Sequence, residues 1–80
     1  MNILEFDSCT FGSDLRRLRE EKDLTQEQLA KKAGVHLQTL YNYEQGFRLP
    51  KLDILLDIAL VLGVDEIRIS TKKGGGRYGT

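Results

Sequence analysis

Two planar amides stand four residues apart in the run Leu37-Gln38-Thr39-Leu40-Tyr41-Asn42. On a helix, that spacing puts Gln38 and Asn42 on one face. Each amide donates and accepts hydrogen bonds in one plane, which matches the edge of a nucleobase, adenine above all. Leu37 and Tyr41 share the outward side of the same helix. Leu37 offers an apolar contact to a thymine methyl, and Tyr41 a hydroxyl for a phosphate or a ring for a sugar. The competing reading is a solvated helix face, where Gln and Asn are ordinary. No reaction centre assembles elsewhere. The sequence holds one cysteine, Cys9, too few for an internal disulfide or a cysteine-rich zinc site, and one histidine, His36, a poor basis for a histidine-based metal site or a His-dependent triad. No catalytic residue, metal or cofactor is expected, and the chain reads as a non-enzyme.

The elements that must position these side chains follow from local signals. Residues 1–10 form an extended lead-in, with Leu4 and Phe6 on one side and Ile3 and Glu5 on the other. Residues 11–22 form a first helix, capped by Thr10 or Ser13, with Leu15 and Leu18 as its apolar stripe and Asp14 suited to its positive end. Thr25-Gln26-Glu27-Gln28 is a capping box for a second helix, whose buried stripe is Leu29, Ala30 and Ala33 and whose left-handed stop is Gly34. After Val35, His36 sits at the cap of a third helix over 37–45, with Leu40 and Tyr43 inward and Gly46 as its end. Phe47-Arg48-Leu49-Pro50 is a loop, because Pro50 disfavours helix at Leu49. A fourth helix spans 51–62 and closes on Gly63. Residues 65–71 alternate apolar and polar, the period of a half-buried strand; a fifth helical turn is the alternative. Residues 72–80 form a basic, glycine-rich tail.

Eighty residues with 40% hydrophobic and 30% charged side chains make one small globular domain. No apolar run approaches the roughly 20 residues of a bilayer span. The first residues lack the basic start and apolar block of a signal peptide, so a cytoplasmic location is expected. The zero net charge hides a pattern: the sequence is acidic over 1–10 and 52–66, and basic over 11–51 and 67–80. A neutral total argues against indiscriminate nucleic-acid binding but leaves room for a local basic face.

Residues 11–64 carry the ordered string Leu15-x-x-Leu18-Arg19, Leu24-Thr25-Gln26-x-x-Leu29-Ala30, Gly34-Val35, Leu40-x-x-x-Glu44-x-Gly46, Pro50, Leu55 and Ala59-x-x-Leu62-Gly63-Val64. In this string they resemble the Cro/CI-type, lambda-repressor-like helix-turn-helix family, a family of DNA-binding domains. It implies a mostly α fold of four to five helices, here with a short strand after helix 4. Short side chains at Ala30 and Gly34 let the second and third helices cross closely and push the third outward. That helix, 37–45, then enters the major groove, with Leu37, Gln38, Tyr41 and Asn42 toward the bases. The family pattern further implies phosphate contacts from Gln26 and the 47–51 loop with Arg48 and Lys51, and a mainly structural ion pair between Arg19 and Glu44. His36 is read as a helix cap or phosphate contact. The strand at 65–71 is similar to the HipB-antitoxin-like subset, in which it pairs across a dimer; residues 2–7 could add strands.

Helix 51–62 is more apolar than one buried face requires. Leu55, Ile58, Ala59 and Leu62 form the core stripe, and Ile54, Leu56, Leu60 and Val61 are the excess, a candidate dimer interface. The expected function is therefore a homodimeric, sequence-specific regulator of transcription, most often a repressor in this family, on a near-palindromic double-stranded operator. Two alternatives stay open. One is an antitoxin that also binds a toxin partner; the other is a protein–protein interaction module on the same fold. No membrane partner is implied.

Overall fold

The computed structural model describes residues 2–69; the tail at 72–80 and the last two residues of the 65–71 strand lie outside them. The chain runs β1 (Ile3–Phe6), α1 (Phe11–Glu21), α2 (Gln26–Ala33), α3 (Leu37–Glu44), α4 (Leu52–Leu62) and β2 (Glu66–Ile69). Residues 66–69 are a strand, not a fifth helical turn. β1 and β2 pair with each other within one chain, in parallel, with Leu4 beside Ile67 and Phe6 beside Ile69. The chain ends of the described domain are thus clipped together. Asp65 N–H donates to the Asn2 carbonyl at 2.8 Å, and Asn2 N–H to the Asp65 carboxylate at 3.0 Å.

The alternation read in the lead-in sorts the strands as expected. Leu4 is fully buried and Phe6 half-buried against the core. On the opposite side Arg68 reaches its neighbour in register, Glu5, at 3.6 Å. The core gathers Leu4, Phe11, Leu15, Leu29, Leu40, Ile58 and Leu62, all without solvent exposure. Phe11 is the largest fully buried side chain, and Phe6 meets it edge to face, ring centroids 5.3 Å apart.

Helix α1 starts differently from either capping alternative. Thr10 occupies the cap position, but its hydroxyl donates to Asp7, and the Ser13 hydroxyl donates back to the Thr10 carbonyl. Asp14, in the first turn, accepts instead from the Glu5 amide of β1 at 2.8 Å, which ties strand to helix. Asp14 also holds Arg17, and that hydrogen bond, followed by the one to Glu21, raises the Arg17 guanidinium above its ordinary range. Helix α2 has the full capping box, with Thr25 and Gln28 exchanging bonds at 2.9 and 3.0 Å. Among the described residues no helix is long and apolar enough to cross a membrane.

Candidate nucleic-acid interface

Helix α3 is fixed from behind by α1 and α2. Leu40 and Tyr43 are buried in the core, and Glu44 is buried with its carboxylate facing α1. The Arg19 Nε donates to one Glu44 oxygen at 2.7 Å and its Nη2 to the other at 3.2 Å, a two-point clamp. Arg19 also donates to the Leu24 carbonyl at 2.8 Å, in the turn between α1 and α2. The pair is therefore in place, buried, and hydrogen-bonded on both sides, the arrangement that offsets desolvation of two charges.

Gln26 joins this network. Its side-chain N–H donates to Glu44 at 2.9 Å, so that donor points into the protein. The Gln26 side chain keeps its carbonyl oxygen and one N–H. The capping box takes the amides of Thr25 and Gln28, while those of Gln26 and Glu27 have no acceptor among the described residues. A phosphate at this helix start would thus meet backbone N–H groups first.

Gly34 does not act as the close-contact residue expected of it. A Cβ there would meet nothing within 4 Å; its service is the left-handed backbone, φ 74°, that turns α2 into α3. The tight contact lies elsewhere, at Gly12. A Cβ on Gly12 would lie 2.5 Å from the Glu44 carbonyl oxygen and 2.7 Å from that of Tyr43. The first turn of α1 thus rests directly on the backbone at the end of α3. A lone glycine inside a helical pattern is the signal that points to such a contact.

The outward face of α3 carries Leu37, Gln38 and Tyr41, all exposed, with Asn42 half-buried beside them. Gln38 donates to the Asn42 carbonyl oxygen at 3.2 Å. That bond leaves Gln38 its own carbonyl oxygen and a second N–H, the pair a bidentate adenine contact needs, and leaves Asn42 its donors. The only charged residue of α3, Glu44, is buried and paired, so no carboxylate stands on the outward face. His36 is at the cap position without a side-chain capping bond, and it is exposed, as are Arg48 and Lys51.

The excess apolar surface of α4 is placed differently from the expected set. Ile54 and Val61 are half-buried and pack against their own core, whereas Leu52, Leu56 and Leu60 are 67%, 51% and 81% exposed. The reason is angular. At 3.6 residues per turn, Ile54 and Val61 lie within about 60° of the buried Ile58, and Leu56 and Leu60 about 160° away.

An exposed helix seated on a second helix across a glycine turn is the geometry of a helix-turn-helix, and the family model of that description matches residues 15–69. The chain belongs to the helix-turn-helix family, of the Cro/CI type. An uncharacterized HTH-type transcriptional regulator, y4dJ of Sinorhizobium fredii, is 38% identical over 69 residues, 86% of this chain and 90% of that protein. The cryptic phage CTXphi transcriptional repressor RstR of Vibrio cholerae is 43% identical over 54 residues. That match covers 68% of this chain but 49% of RstR, so the chain spans about half of that relative. Among solved structures, the restriction-modification controller protein C.AhdI from Aeromonas hydrophila superposes with a TM-score of 0.69 at 34% identity, over 72% of this chain and 88% of that one. The helix-turn-helix family is one of DNA-binding transcription regulators and not an enzyme family.

Proposed function

We propose that this helix-turn-helix protein is a sequence-specific repressor that acts in the cytoplasm as a homodimer on a near-palindromic operator. The observation that carries the reading is the outward face of α3. It is uncharged, exposed, rigidly seated through Glu44, and carries an amide pair whose mutual hydrogen bond orients Gln38 for a base edge. In this reading Leu37, Gln38, Tyr41 and Asn42 meet the bases. The α2 N-terminus at Gln26, with His36, Arg48 and Lys51, meets phosphates, which adds affinity without sequence information. Arg19 and Glu44 hold the reading helix and stay off the DNA.

The dimer half of the reading rests on Leu52, Leu56 and Leu60, a line of exposed leucines opposite the core stripe. Two copies joined there would present two reading helices about 34 Å apart, one turn of DNA. Binding across a promoter then excludes polymerase, which is the repressor mode.

The test is selection of bound duplexes from a random pool, then titration of the best site at two salt concentrations. A near-palindrome is expected, with binding lost on combined Gln38→Ala and Asn42→Ala and weakened by salt. Weak, sequence-blind binding would overturn the reading. A chain that selects a site while sedimenting as a monomer would overturn the homodimer and make the leucine line the seat of a foreign protein, the antitoxin alternative.

A further inference from the structure

Three of the four helices among the described residues end in one way. Helices α2, α3 and α4 each close on a left-handed glycine: Gly34, Gly46 and Gly63. In each case the next amide donates to the carbonyl five residues back: Val35 to Ala30, Phe47 to Asn42 and Val64 to Ala59, all at 2.9 Å. This motif folds the residue after the glycine onto the last helical turn, where an apolar contact usually accompanies it. Val35 and Val64 make that contact, being half-buried against the core above buried alanines. Phe47 does not. Its counterpart across the motif is the polar Asn42, and its ring is 69% exposed. The backbone under Phe47 is held by the same bonds as the backbone under the two valines, yet a large ring is left outside.

We propose that Phe47 is a DNA contact, its ring packing on the deoxyribose edge of the strand beside the groove, next to the phosphate met by Arg48. The proposal rests on α3 being the DNA-reading helix, and extends its surface by one residue that charge arguments overlook. Two observations choose DNA over a second copy as the occupant. First, Phe47 follows α3 directly, its amide tied back to the Asn42 carbonyl of that helix. Second, the segment 45–51 holds Arg48 and Lys51 and no acid, whereas the leucine line of α4 is flanked by the exposed Asp53 and Asp57. A phosphate backbone is attracted to the first surface and repelled by the second. A sugar contact is apolar and sequence-blind. It should strengthen binding to every duplex alike and release no counterion.

The experiment uses the full chain and two probes, the duplex selected from a random pool and an unrelated duplex of equal length. Phe47→Ala is expected to weaken both by roughly tenfold, the loss from uncovering most of a ring. Its salt dependence, thermal midpoint and oligomeric state without DNA should match wild type. Arg48→Ala in parallel should flatten the salt slope by about one counterion. Unchanged DNA affinity of Phe47→Ala overturns the proposal. So does a loss confined to the selected duplex, which would put the ring on a base, and so does a change of oligomeric state, which would put it between copies. A wild-type chain that enriches no duplex overturns this proposal and the reading of α3 together; normal wild-type binding with an unaffected Phe47→Ala overturns this one alone.

Discussion

Replacing Gly12 by alanine should destabilise the protein, against the ordinary rule for a glycine inside a helix. On a free helix the change is favourable by about 1 kcal/mol, because alanine loses less backbone entropy on folding. Here the new methyl would stand 2.5 Å from the Glu44 carbonyl oxygen and 2.7 Å from that of Tyr43. Both obstacles are backbone, and the first belongs to a residue clamped by Arg19. Neither can rotate away, so α1 must lift off the end of α3. Overpacking of this kind costs about 1–3 kcal/mol, and rigid obstacles place it at the upper end. The net expectation is a loss of roughly 2 kcal/mol after the helical gain. In a domain of this size that lowers the thermal midpoint by about 8–16 °C. Urea and thermal unfolding followed by far-ultraviolet circular dichroism measure it directly. Ser13→Ala, one residue on and exposed, is the control and should move little. If Gly12→Ala is as stable as the parent, or more stable, α1 does not rest on α3 in this way.

Other outcomes follow from the same geometry. Glu44→Ala alone should cost about 3–5 kcal/mol, because it strands a buried guanidinium; Arg19→Met with Glu44→Leu should cost clearly less than the two single changes summed. A double-mutant cycle in urea checks this, and additive losses would mean that the pair is not coupled. Thr25→Ala should remove about 1 kcal/mol by opening the capping box at α2, and a change below measurement error in the same assay would show that the box contributes nothing. Leu56→Lys with Leu60→Lys should abolish self-association in sedimentation equilibrium while leaving the fold intact, since both side chains are exposed; an unaltered association constant would remove α4 from the interface.

Much of this protein is written in short-range signals. Thr25 with Gln28, the three stopping glycines and Pro50 each act through their own neighbours, so the helices could be bounded to within a residue or two before any contact was known. The shared face of Gln38 and Asn42 was equally legible, because a spacing of four puts them together on any helix. The angular split on α4 was also open to the sequence: helical period alone separates Leu56 and Leu60 from Ile54 and Val61. Other features depend on groups far apart in the chain. The partner of β2 is β1, some sixty residues away, and a four-residue strand with one apolar edge does not specify which strand it joins or in which direction. Gly12 carries no sign of what it touches, since the obstacle is the backbone of another helix. The Gln26 side chain turns to Glu44 only because α2 and α3 bring them within 2.9 Å. Among the described residues Phe47 stays exposed although its backbone is bonded like those of Val35 and Val64, a fact about packing that no local rule contains.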